Sequence, residues 1–180
     1  MHSDRPRIGI SACLLGEPVR FDAGHKRDSF LVETFGQHVE WVQVCPEIEA
    51  GFGTPRESMR LVLLTPQQRE RGERFDPANI AVVLNKTKEV VTGQLRRYAH
   101  KKAETLADGN LSGFILKKDS PSCGMERVKV YTPGGMAERA GRGLFAEALL
   151  ARVPALPVEE AYAPIATART HIAGMTLVLI

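Results

Sequence analysis

The chain has 180 residues, 43% of them hydrophobic and 25% charged. That is the composition of one ordinary globular domain, and it excludes a disordered, fibrous or collagen-like chain. Twenty-four Lys and Arg against 21 Asp and Glu leave a net charge of only +3, far short of a duplex-binding module, so no stable nucleic-acid complex is expected.

The start, MHSDRPRIGISAC, lacks the apolar core of a signal peptide. The most apolar stretch, Met175 to Ile180, is too short to cross a bilayer. A cytoplasmic protein without membrane contact is expected, and no internal repeat or low-complexity segment interrupts it.

Arg7 to Ser11 (RIGIS) predicts a buried first strand that ends just before Cys13. Asp28 is placed to cap a helix through Phe35, with Phe30, Leu31 and Phe35 on one face. Val39 to Val44, rich in valine, predicts a second strand running into Cys45 and Pro46. Gly, Pro and Arg dominate Glu49 to Asp76 and predict ordered loops around a brief strand at Arg60 to Leu64. Ile80 to Leu84 predicts another short strand.

Leu95, Tyr98, Ala99 and Leu106 recur at helical spacing over Val91 to Ala107, and Asp108-Gly109-Asn110 stops that helix. Gly113 to Leu116 predicts a strand leading into KKDSPSCG and Cys123. Gly143 to Val153 predicts an amphipathic helix, and Leu156 to Glu159 a last strand.

Strands alternating with helices predict an α/β fold: a single domain over 1–160, with a largely parallel sheet flanked by helices. The tail, 161–180, is available to pair as an edge strand or to pack on a neighbour, which leaves the oligomeric state open. All three cysteines fall near the carboxyl ends of predicted strands, where such sheets bind their ligands. Separations of 32 and 78 residues in sequence therefore do not prevent convergence.

Three cysteines are an odd number, and in a reducing compartment they argue against a disulfide framework. Taken singly, each is an ordinary small core residue. Taken together, three thiolates suit either zinc with His25 or His38 as a fourth ligand, or an iron–sulfur cluster with one iron free of protein ligands. The C-x2-4-C pair usual for zinc is absent from the sequence.

The surroundings of each cysteine are distinctive. Cys13 lies in SACLLGEPVRFDAGH, where Gly16, Pro18 and Gly24 mark a tight loop near Arg20, Asp22 and His25. Cys45 opens CPE, and Cys123 closes KKDSPSC beside two hydroxyls. In this order CLLGEPVRFDAGH, CPE and KKDSPSCG resemble the thiouracil desulfurase (TudS) family, from about Arg7 to about Glu159.

The resemblance implies a [4Fe–4S] cluster held by Cys13, Cys45 and Cys123. It implies non-redox removal of sulfur from thiolated uracil or 4-thiouridine monophosphate, as in nucleotide salvage. Small-molecule pyrimidines are then the partners. It also implies that Glu47 moves protons between water and the ring nitrogen, and that Ser120 positions water or substrate. The lesser alternative for Glu47 is a surface residue opening a helix after Pro46; for Ser120, the residues alone favour a turn residue bonding its own backbone.

Ser122, next to Cys123, is read as a donor toward cluster sulfur within the substrate pocket. Arg20, Asp22 and Arg56 are weaker candidates for substrate binding; an arginine there can clamp a phosphate with help from the GFGTPR loop. Trp41 reads as core, and Arg96, Arg97, Lys101 and Lys102 as a solvated helix face rather than a tRNA contact. The competing function is a zinc or iron–sulfur module that handles sulfur or binds RNA without turnover.

Overall fold

The computed structural model describes residues 5–64, 79–132 and 134–161, together with the backbone of 170–172 and 175–177. Two four-stranded sheets organise them. The first contains β1 (Arg7–Ser11), β2 (Glu40–Val44), β5 (Gly113–Lys117) and β8 (Val158–Ala161), in the order β2-β1-β5-β8 with every pair parallel. RIGIS and GFILK are near-continuous apolar runs because strands of a parallel sheet are buried on both faces. Gly9 lies opposite Phe114, and a Cβ there would sit 2.1 Å from the Phe114 ring, so close approach demands glycine.

The second sheet contains β3 (Met59–Leu63), β4 (Ile80–Leu84), β6 (Val128–Tyr131) and β7 (Ala137–Gly141), in the order β4-β3-β6-β7. Only β3 and β6 run parallel; the other pairs are antiparallel. The α/β class expected from the sequence holds, but its strands divide between a parallel and a mixed sheet. The β6–β7 hairpin is an addition. Its second strand, AERAG, is too charged and too short to read as a strand alone, as befits an exposed edge.

Helix α2 (Thr92–Ala107) buries Leu95, Ala99, Ala103 and Leu106 along one stripe. Its alanines pack with Phe145 and Leu149 of α3 (Leu144–Arg152) and with Phe114 and Leu116 of the first sheet in one apolar cluster. The opposite face of that sheet is covered by Leu31 and Phe35, and a third cluster lies under the second sheet.

The helix expected after Asp28 is replaced by a π-helical turn at Phe30–Thr34 and a 3-10 turn at Phe35–Gln37. Asp28 still acts as a cap, accepting the Leu31 N–H at 3.1 Å. Gly36 sits against Trp41, where a Cβ would meet the indole nitrogen at 3.0 Å, so the turn is shaped by packing rather than by helical periodicity.

The last strand of the first sheet falls at Val158–Ala161, two residues later than expected. In the tail, β9 (Thr170–Ile172) and β10 (Met175–Leu177) pair with each other, antiparallel, instead of extending either large sheet. Residues 65–78, part of the expected loop region, lie outside the described residues, and among the described residues no helix is long and apolar enough to cross a membrane.

Candidate active site

Strands β2, β1 and β5 are neighbours and parallel, so their carboxyl ends open on the same side. Cys13 follows β1 in the turn Ala12–Leu15, Cys45 follows β2 directly, and Cys123 ends the turn after β5. All three thiols are free and line one cavity of about 330 Å³. Burial pushes the Cys13 thiol up to about 11, and it raises Cys123 and Cys45 as well. Nearby thiolate charge raises Cys13 and Cys123 further, while Lys117 and Arg20 pull Cys13 down.

A cationic metal centre is what displaces protons from such a group of thiols. Among the described residues no three His, Cys, Asp or Glu side chains close on a point sized for a single ion. His25 and His38 are exposed and do not line the cavity. Three thiols on one cavity are the soft donor set that an iron–sulfur group takes, and neither histidine is placed to complete a zinc site.

Helix α1 (Pro46–Glu49) starts with proline at its first turn, where the missing N–H costs nothing and φ is preset. That start turns Glu47 inward. Its side chain is only 15% exposed, and its partner Arg56 is 7% exposed. Arg56 donates to Glu47 Oε2 through Nε at 2.9 Å and again through Nη2. The Ser122 hydroxyl donates to Oε1 at 2.7 Å. Glu47 is therefore not a surface residue.

Arg56 also donates to the Val19 and Gly53 carbonyls at 2.9 and 2.8 Å. It is fully engaged by protein groups, which leaves little of the fork for the phosphate role considered from the sequence. Ser122, fully buried, spends its hydroxyl on Glu47. Ser120 Oγ accepts the Ser122 and Cys123 N–H groups at 3.2 and 3.1 Å, the turn geometry, and keeps its own hydrogen for the cavity that it lines. Arg20 and Asp22 pair at 3.4 Å at the rim; Arg20 lines the cavity, Asp22 does not. The Gly24 N–H, foremost, holds the Asp22 carboxyl below its usual range.

Residues 8–161 match the family model of 2-thiouracil desulfurase. The chain belongs to that family. The protein YbbK of Bacillus subtilis (strain 168) is 32% identical over 124 residues, spanning 65% of this chain and 72% of YbbK. A solved structure of the [4Fe-4S]-dependent thiouracil desulfidase TudS superposes with a TM-score of 0.62 at 29% identity, covering 87% of this chain and 91% of that one.

This 2-thiouracil desulfurase relative also uses residues that sequence patterns did not single out. Glu49 accepts the Cys45 N–H at 2.9 Å, and its other oxygen accepts the Tyr98 hydroxyl and the Lys102 ammonium, both at 2.8 Å. Lys102 is thus tied to the site instead of simply facing water. Buried Glu160 accepts the Met125 and Glu126 N–H groups at 2.6 and 3.5 Å and holds the chain that leaves Cys123.

Lys117 lines the cavity, and burial lowers its ammonium pKa despite the Cys13 and Asp119 charges. The start of α3 is stitched to the same loop. Gly143 N–H donates to Gly124 O at 2.8 Å, Leu144 N–H to Pro121 O at 3.2 Å and Phe145 N–H to Ser122 O at 2.9 Å. The otherwise orphaned N–H groups of a helix end thereby fix the Cys123 turn. The signal for Glu49 was its place in CPEIE; Glu160 and Lys117 carried no motif of their own.

Proposed function

We propose that the chain is a desulfidase that holds a [4Fe–4S] cluster on Cys13, Cys45 and Cys123 and hydrolyses the C=S group of thiolated uracil or 4-thiouridine monophosphate to uracil or UMP and sulfide. The observation that carries this reading is a cavity where three strand-end thiols share a wall with a paired, largely buried carboxylate. Family membership and the TudS structural likeness support it.

The reaction exchanges sulfur for the oxygen of water, so no oxidant or reductant is required. When bound, the cluster supplies Lewis-acid activation of the thiocarbonyl at an iron without a protein ligand. Glu47 accepts a proton from the attacking water and returns one to the ring nitrogen. Arg56 and Ser122 fix both carboxylate oxygens, so the proton acceptor is held in one orientation. The free hydrogen of Ser120 orients water or a substrate oxygen. Lys117 lines the same cavity and interacts electrostatically with Cys13 and Cys123.

The phosphate of a nucleotide has its own place in this reading. A second cavity of about 510 Å³ is lined by Arg60, Lys129 and Arg139 and shares Met59, Asp119 and Pro121 with the first. Arg60 lies over the Tyr131 ring at 4.9 Å, and Arg139 is partnered by Asp119 at 2.9 Å. These cations line the neighbouring cavity, whereas Arg56 lines the cysteine cavity but is taken up by protein partners. Free thiols and an oxidisable cluster fit the cytoplasm.

Anaerobic purification followed by metal and sulfide assays tests the proposal. Brown protein with about four irons per chain, releasing sulfide from 4-thiouracil or 4-thiouridine monophosphate, is the expected result. Colourless protein with stoichiometric zinc, or a loaded cluster without sulfide release, would favour the module that handles sulfur without turnover.

A further inference from the structure

Four large apolar side chains among the described residues stand exposed: Phe21, Leu64, Val90 and Met136. Of these, Phe21 alone lines the cysteine cavity, at 40% exposure. An aromatic ring left in water at the mouth of a site is a ready partner for a planar ligand.

We propose that Phe21 is the stacking wall for the pyrimidine ring and so sets substrate specificity; this rests on the desulfidase reading above. The ring is held by a built turn. Arg20 N–H donates to Gly24 O at 3.2 Å and Ala23 N–H to Arg20 O at 3.0 Å, with Ala23 in the left-handed region at φ 56. The Arg20 guanidinium lies over Phe21, 5.4 Å from the ring centroid, and is itself tethered to Asp22. A cation on one side of the ring leaves the other for a heterocycle.

The turn is also pinned from behind. Thr54 Oγ1 donates to Arg20 O at 2.9 Å, and the Arg56 N–H donates to Phe21 O at 2.9 Å. Arg56 is the same residue whose guanidinium grips Glu47. One residue therefore sets the aromatic wall and the carboxylate relative to each other, which is what positioning a flat ring for attack at one carbon requires. Arg20 and Asp22 gain a role here as supports of the wall rather than as direct ligands.

The test compares Phe21→Ala, Phe21→Leu and Phe21→Trp in cluster-loaded protein. Phe21→Ala is expected to raise KM for 4-thiouracil about tenfold, the size of losing one base stack, with iron content and cluster absorbance unchanged. Phe21→Trp is expected to restore KM, and its indole fluorescence to fall as uracil or UMP is added. The native Trp41 packs on Phe35, away from the cavity, so wild-type protein is the silent control.

An unchanged KM in Phe21→Ala, a full rescue by Phe21→Leu, or no fluorescence response would each overturn the proposal. If wild-type protein releases no sulfide from any thiopyrimidine, the desulfidase reading fails by itself. The fluorescence titration still decides whether Phe21 receives a pyrimidine.

Discussion

The two sheets contribute to the site in unequal ways. The first is parallel, so three neighbouring strands deliver Cys13, Cys45 and Cys123 to one edge although 110 residues separate the first from the last. The second is mixed, and antiparallel neighbours end on opposite sides. It gives the cysteine cavity Met59 and the segment leading into it, and it carries a neighbouring row of cations. Direction of the strands, rather than their composition, separates the sheet that gathers the cysteines from the sheet that flanks them.

That division can be broken from the first sheet outward. Replacing Cys45 or Cys123 by alanine is expected to abolish sulfide release and bring iron far below that of the wild type in anaerobic preparations. Glu47→Gln comes next: it should keep the iron and lose about 10²–10⁴-fold in kcat, the range of a missing general acid or base.

Arg56→Ala leaves a largely buried carboxylate without its cation, and about 3–5 kcal/mol of stability should vanish, read as a lower urea midpoint at an unchanged slope. Glu49→Gln keeps an acceptor for the Cys45 N–H but weakens the bonds to Tyr98 and Lys102; about 1 kcal/mol and faster cluster loss in air are expected.

A change in the second sheet should act more narrowly. Arg60→Ala is expected to raise KM for 4-thiouridine monophosphate several-fold while leaving 4-thiouracil turnover unchanged. Equal effects on base and nucleotide would mean that the cation row belongs to the sheet and not to the substrate.

How much of this was legible in the sequence follows from the range of each interaction. Strand-end cysteines could be read because apolar runs such as RIGIS and GFIL announce themselves locally. Helix α2 announced itself through Leu95, Ala99 and Leu106 in the same way. In the second sheet β3 and β4 were legible too, but the β6–β7 hairpin was not, because AERAG becomes a strand only through its pairing with VKVY.

Side-chain partners were less visible still. Ser122 meets Glu47 across 75 residues, and nothing in SPSC says that one hydroxyl points at a carboxylate while the other closes a turn. Arg56 looked like a solvated cation because, besides Gly53 of its own loop, its partners Glu47 and Val19 lie in other elements. Glu160, one residue past the expected last strand, carries no local sign that its carboxylate accepts the Met125 N–H.

The stitching of α3 onto the Cys123 turn has a consequence for the stability of the fold. Carbonyls of Pro121, Ser122 and Gly124 are taken up by the helix start, and Glu49 anchors the Cys45 backbone. The Cys13 carbonyl likewise accepts the Lys26 N–H at 2.8 Å. Each cysteine-bearing loop is therefore braced by hydrogen bonds to other parts of the chain. Zinc fingers fold around their ion; if these loops hold the proposed cluster, their hydrogen bonds to the rest of the chain predict a fold that outlasts its removal, checked by equal urea midpoints for loaded and stripped protein.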